Sequence, residues 1–250
     1  MRRAALVLSL VLAALAAACG EVAGPATSEA EILDGAPTTE HPAVGVVHQS
    51  VAESFCTETL IAPDIVLTAG HCIEGDEKID AFFTGGGRPV ASPSTDPSTL
   101  GMVRHEVVAQ VPYPTFDYFY SCPNQALDIA LVRLAEPITD IEPVKIGGPP
   151  LSAAECTTVG FGTHETDGGE QFLEKRAATV KIGDVRETSL DIFAVDGIAS
   201  HGDSGGPLLC GDVIVATTSC QPDWPYDAIA YGNLSAGLSW ITAMIAQWEP

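Results

Sequence analysis

Three short stretches of this chain carry residues that could make and break an acyl bond. Gly202-Asp203-Ser204-Gly205-Gly206-Pro207 sets one hydroxyl between glycines and beside a carboxylate. Backbone with so little side-chain bulk can approach a substrate carbonyl closely and aim its N–H groups at a developing oxyanion. Taken alone, the run could equally be a tight turn. Upstream, Leu67-Thr68-Ala69-Gly70-His71-Cys72 holds an imidazole, and Leu127-Asp128-Ile129-Ala130-Leu131-Val132 holds a carboxylate ahead of an apolar run. A serine hydroxyl is a weak nucleophile at neutral pH, and a neighbouring base can activate it. His71 precedes Asp128 by 57 residues and Asp128 precedes Ser204 by 76, so only a fold can bring them together. Singly, each has a duller reading: the histidine caps a strand, the aspartate ends a turn.

The elements available to position them are short. Apolar runs separated by Gly, Pro and Asp predict strands at Val44–Val47, Glu58–Ile61, Ile65–Thr68, Val107–Val111 and Ile129–Val132. A second group follows at Val159–Phe161, Ala178–Ile182, Leu208–Cys210 and Val213–Thr217. Helical patterning is almost confined to Ser239–Trp248. Such a series implies an all-β chain of barrels or sandwiches. Pro143–Pro150 is the expected link between halves, and Ser92–Thr99 an expected surface loop.

Together, and in this order, the three stretches resemble the signatures T-A-A-H-C, D-I-A-L and G-D-S-G-G-P of the chymotrypsin/trypsin-like serine peptidases. The resemblance runs from about Ile32 to the C-terminus and suggests a bacterial exported member. It implies two antiparallel six-stranded β-barrels with a C-terminal α-helix and an active site in the crevice between them. The N-terminal barrel, expected over 32–143, would carry His71 and Asp128; the second, over 144–250, would carry Ser204. His71 would act as general base and Asp128 would orient it, while the N–H groups of Gly202 and Ser204 would form the oxyanion hole. Ile32-Leu33-Asp34-Gly35 resembles the family's I-V-G-G mature start, so cleavage before Ile32 would free an ammonium to pair with Asp203. Glu31 departs from the basic residue usual at that scissile position, and a plain linker without a switch is the alternative.

The resemblance also implies disulfides Cys56–Cys72 and Cys156–Cys210. Ser200 stands where the family has a cysteine, so Cys220 loses its usual partner; Cys122–Cys220 remains, or both are free thiols. At the base of the primary pocket the family position falls on Ile198, with Ile229 on a wall, implying a preference for small aliphatic residues. The family's S-W-G strand has no clear counterpart in Ala216–Cys220, and its register stays open. Tyr113, Phe116, Tyr118, Phe119 and Tyr120 either line the crevice or pack a loop. A catalytically silent binding or regulatory homologue and a serine esterase are the rival readings; the G-D-S-G context lacks the G-x-S-x-G elbow of the latter.

Composition narrows the rest. The 250 residues carry 33 acidic against 11 basic side chains, a formal charge of −22, which argues against nucleic acid as a partner. The excess acid serves solubility or favours cationic substrates. Arg2 and Arg3, the apolar run Ala4–Ala18 and Ala16-Ala17-Ala18-Cys19 read as a signal peptide over residues 1–18. Leu15–Cys19 also resembles a bacterial lipobox, in which Cys19 would be lipidated and anchor the protein to a membrane. Seven cysteines is an odd count, and setting Cys19 aside leaves six for bridges in an oxidising compartment. Residues 19–31 read as a tether or propeptide. The other histidines lack metal-ligand spacing and are expected on the surface, Glu74–Asp80 lacks a calcium-loop pattern, and no metal or cofactor is implied. A monomer acting on protein or peptide substrates is expected.

Overall fold

Runs of β-branched and aromatic residues fold into seventeen strands and one α-helix in the computed structural model, which describes residues 35–49, 54–73, 79–117, 126–166, 169–221 and 228–248. After a two-residue β1 (Ala36–Pro37) come β2 (Val44–Gln49), β3 (Ser54–Ala62), β4 (Ile65–Thr68), β5 (Ala81–Thr84), β6 (Gly87–Val90), β7 (Val103–Pro112) and β8 (Ala130–Leu134). A short β9 (Lys145–Ile146) leads to β10 (Glu155–Gly160), β11 (His164–Thr166), β12 (Gly169–Glu174), β13 (Arg176–Val185) and β14 (Ser189–Ala194). The chain ends with β15 (Pro207–Cys210), β16 (Val213–Cys220), β17 (Ala228–Asn233) and α1 (Leu234–Trp248).

Two closed six-stranded antiparallel barrels result. The first runs β2-β3-β4-β8-β7-β5 and back to β2; the second runs β13-β10-β15-β16-β17-β14, closed by β14 on β13. Closure removes open sheet edges. Each barrel has its own apolar filling, with Val47, Leu60 and Phe82 in the first and Val180, Leu190 and Tyr231 in the second. A third cluster joins them: Leu67, Leu127 and Ile129 from the first half meet Val159, Phe161, Leu209 and Ile214 from the second. That shared core fixes one barrel against the other where the loops of both converge.

The region expected as a linker does structural work for both halves. The Val144 N–H donates to the Leu60 carbonyl of the first barrel, and β9 pairs in parallel with β16 of the second. Within the expected loop at 92–99, Asp96 caps a single 3₁₀ turn by accepting from the Ser98 N–H. The helix starts earlier than its apolar pattern suggests. Asn233 caps it through the Ser235 N–H, and Gly237 lets it seat directly on Leu127 and Ile129.

Candidate active site

His71 sits on a 3₁₀ turn, Gly70–Ile73, separated from the end of β4 by Ala69 alone. Two contacts pin the turn: the Cys56–Cys72 disulfide ties it to β3, and the Phe116 ring lies against Gly70. Tyr113 instead packs edge-on against Trp240 of the helix. Tyr118, Phe119 and Tyr120 lie outside the described residues.

Asp128 lies just ahead of β8, 2% exposed, and is held by three donors. Its Oδ1 accepts the backbone N–H of His71 at 3.0 Å, and its Oδ2 meets His71 Nδ1 at 2.7 Å and the Ser219 hydroxyl at 2.6 Å. Burial alone would raise the pKa of this carboxyl. The charge of His71 and the hydrogen bonds from His71 and Ser219 outweigh it and hold the group below its ordinary value. An ionised Asp128 keeps the imidazole proton on Nδ1, which makes Nε2 the basic nitrogen. Ser219 lies at a bulge between Thr218 and Cys220, and its hydroxyl faces Asp128.

Ser204 arrives from the second barrel on the loop ahead of β15, and backbone contacts hold it. Its carbonyl accepts the Thr57 N–H of β3 at 2.9 Å, and the Gly205 N–H donates to the Thr218 carbonyl at 2.8 Å. Gly205 has φ +78°, and a Cβ there would collide with the Thr68 hydroxyl, the Thr57 carbonyl and the Ala69 nitrogen, two residues before His71. Only glycine allows that approach. No hydrogen bond joins the Ser204 and His71 side chains among the described residues. Nor does any acceptor among them take the N–H of Gly202 or Ser204. The His201 carbonyl is turned away to the Thr163 N–H at 2.8 Å. Since an amide is planar and trans, this directs the Gly202 N–H to the opposite side.

Asp203 is fully buried, and its carboxylate accepts the N–H groups of Gly162 and Ser200, each at 2.8 Å. Burial pushes its pKa up to about 7 despite those donors and the more distant Arg176. Ile198 and Ile229 are both buried in the apolar cluster of the second barrel, at 6% and 5% exposure. The structure forms the bridges Cys56–Cys72 and Cys156–Cys210, and Cys220 is disulfide-bonded too, not a free thiol. Its expected partner Cys122 lies outside the described residues, as do Cys19, Glu31 and Ile32. Among the other histidines, His201 is exposed and His41, His48 and His105 are half-buried. His164 is not a surface residue: β11 begins there and turns its ring inward, 3.5 Å from the Gly162 carbonyl and from Glu174.

The family model described as Trypsin matches residues 32–229. The chain belongs to the trypsin family. Among characterised members, trypsin epsilon of Drosophila erecta is 27% identical over 246 residues, covering 90% of this chain and 89% of that one. Bovine (Bos taurus) coagulation factor XII is 30% identical over 207 residues, 69% of this chain but 31% of its own length. Of solved structures, mouse neuropsin, a serine protease, superposes with a TM-score of 0.66 at 21% identity, covering 85% of this chain and 99% of its own. A scabies mite inactivated protease paralogue does so at 0.69 and 14%, covering 86% and 97%. At those identities the superpositions establish the trypsin-like fold, and the curated relatives are mostly eukaryotic.

Two features of the site were not read from sequence. Ser219 is one of three consecutive hydroxyl residues, and nothing in the pattern distinguishes it from Thr217 or Thr218. Thr57 and Glu58, both fully buried on β3, follow directly on Cys56, and nothing in their pattern marks them as part of the site.

Proposed function

We propose that this trypsin-family protein is a serine endopeptidase using His71, Asp128 and Ser204. The observation that carries the reading is the buried, ionised Asp128 gripping the His71 turn, with the Ser204 loop seated on the adjoining strand. In the proposed reaction, Ser204 Oγ attacks the carbonyl carbon of a peptide bond while His71 Nε2 takes its proton. The tetrahedral oxyanion accepts hydrogen bonds from the Gly202 and Ser204 N–H groups, worth roughly 3–4 kcal/mol for a single donor. Collapse breaks the C–N bond, and His71 returns the proton to the departing amine. Water then attacks the acyl-enzyme by the same route, releasing the acid and restoring the hydroxyl.

The proposal extends to maturation and specificity. Cleavage before Ile32 supplies an ammonium for Asp203, a carboxyl whose pKa burial raises and which makes no ion pair among the described residues. Ile198 at the base and Ile229 on a wall of the primary pocket carry no charge to receive Arg or Lys, supporting small aliphatic residues before the scissile bond. Export follows from the segment ending at Ala18, with or without a lipid on Cys19.

Protein processed to Ile32 is expected to take up one fluorophosphonate probe per chain, and the S204A variant none. In a peptide panel, cleavage after Ala or Val should exceed cleavage after Arg or Phe. A processed, folded chain that neither labels nor cleaves would be a silent homologue, and the peptidase reading would fall.

A further inference from the structure

One side chain of the first barrel holds the peptide plane between the two proposed oxyanion donors, and this goes beyond the triad while resting on the peptidase reading. Thr57 is fully buried on β3, opposite Val46 of β2. Its hydroxyl lies 2.9 Å from the Gly202 carbonyl, and the Phe161 N–H points to it at 3.1 Å. A hydroxyl has one proton and two lone pairs. The Phe161 N–H can only donate, so the Thr57 proton is left for the Gly202 carbonyl. The direction of both bonds is therefore fixed.

The loop's peptide planes show why this matters. The 201–202 plane is set by the His201 carbonyl on the Thr163 N–H, the 203–204 plane by the Asp203 carbonyl on the Gly206 N–H, and the 204–205 plane by the Ser204 carbonyl on the Thr57 N–H. Backbone holds each of these three. The 202–203 plane is held at both ends: its N–H, that of Asp203, donates to the Ser200 carbonyl at 3.0 Å, and its carbonyl, that of Gly202, is anchored by the Thr57 hydroxyl alone. It links the Gly202 N–H to the Ser204 N–H, so a rotation there moves one donor relative to the other. Phe55, two residues earlier on the same face of β3, lies under Gly202, where any Cβ would strike its ring. Gly202, at φ +91°, is thus caught between an aromatic floor and a side-chain hydrogen bond, both supplied by the opposite barrel.

We infer that Thr57 is a positioning residue for the oxyanion hole, acting through the Gly202 carbonyl. Replacing it by valine keeps the branched shape and removes the hydroxyl. Thr57→Val is expected to lower kcat about tenfold, short of the 10²–10³ lost when a donor is deleted outright. KM should stay within about twofold, because the ground-state carbonyl barely uses the hole. Inhibition by a peptide aldehyde ending in alaninal, whose adduct places an oxygen anion in the hole, should weaken by the same factor as kcat. Thr57→Ser retains the hydroxyl and should recover most of both. If the valine variant does not fold, Thr57→Ala removes the same hydroxyl with less bulk, and the same measurements apply. Unchanged kcat and aldehyde affinity in a folded hydroxyl-free variant would overturn the inference, as would a loss confined to KM or a serine variant no better than valine. Fluorophosphonate labelling of the parent protein processed to Ile32 separates the two levels. A reactive parent with an unaffected valine variant sinks only the role of Thr57, whereas an inert parent sinks the peptidase reading and this with it.

Discussion

Replacing Asp203 by asparagine separates what burial does to this carboxyl from what its hydrogen bonds do. The group is wholly buried, accepts two backbone N–H groups at 2.8 Å, and has its pKa pushed up to about 7 from an ordinary 3.8. Three units at 1.36 kcal/mol each is about 4 kcal/mol. The sign follows from which state holds the proton. Below about pH 4 both folded and unfolded chains are protonated and the group is neutral in its effect. Between about pH 4 and 7 only the folded chain keeps the proton, so stability falls as pH rises. Above about 7 the full penalty of about 4 kcal/mol is in place. Asparagine does not titrate, but its amide nitrogen must face one of the two N–H donors. Losing that acceptor costs about 1–3 kcal/mol at every pH.

The two stability curves should therefore cross. Asp203→Asn is expected to be the less stable chain at pH 4 and equal or more stable at pH 8, crossing between about pH 4.5 and 6. Urea unfolding from pH 4 to 8, with both chains uncut and carrying S204A to prevent self-digestion, measures this. Parallel curves would refute the reasoning, since they would mean that Asp203 ionises in the folded chain as it does in water. Cutting the parent before Ile32 adds a second reading in the same assay. An ammonium lodged beside Asp203 would favour its charged form and abolish the downward slope, whereas a persistent slope would count against the proposed switch.

Glu58 lies opposite Gly45 in the first barrel with neither carboxyl oxygen well hydrogen-bonded, and burial pushes its pKa well above the ordinary range, the Thr68 hydroxyl pulling the other way. Its folded form holds the proton more tightly than its unfolded form, so it removes stability as pH rises above the ordinary glutamate value. Glu58→Gln should leave the melting temperature near that of the parent at pH 4 and raise it at pH 8, as differential scanning calorimetry would show. Gly205→Ala forces a side chain into left-handed backbone and into the Thr57 carbonyl and Ala69 nitrogen, 2.6 and 2.8 Å from its Cβ. Strain and overpacking together should cost about 2–4 kcal/mol in urea unfolding, and fluorophosphonate labelling of the remaining folded protein should slow markedly.

How far the sequence discloses this molecule depends on the range of the interactions involved. Unbroken apolar or β-branched runs such as Ile65–Thr68 and Val213–Thr217 announce their strands. Burial alone does not: Ala81–Thr84 is just as buried but only four residues long, and Ala228–Asn233 ends in Gly and Asn, and neither is expected from the sequence. Ser189–Ala194 and Gly169–Glu174 mix acids with apolar residues, and both escape a pattern search although the first closes the second barrel. The triad segments are legible because glycines and small residues crowd around each reactive group, a local requirement written locally. Ser219 is legible only once Asp128 is in place, since its identity depends on a bulge and not on its neighbours. Thr57 is the limiting case. A threonine in a strand is ordinary, and nothing near it in the chain hints at partners 104 and 145 residues away. Its effect arises from the docking of two barrels, so the same shared core that holds the halves together also sets the angle of the peptide behind the nucleophile.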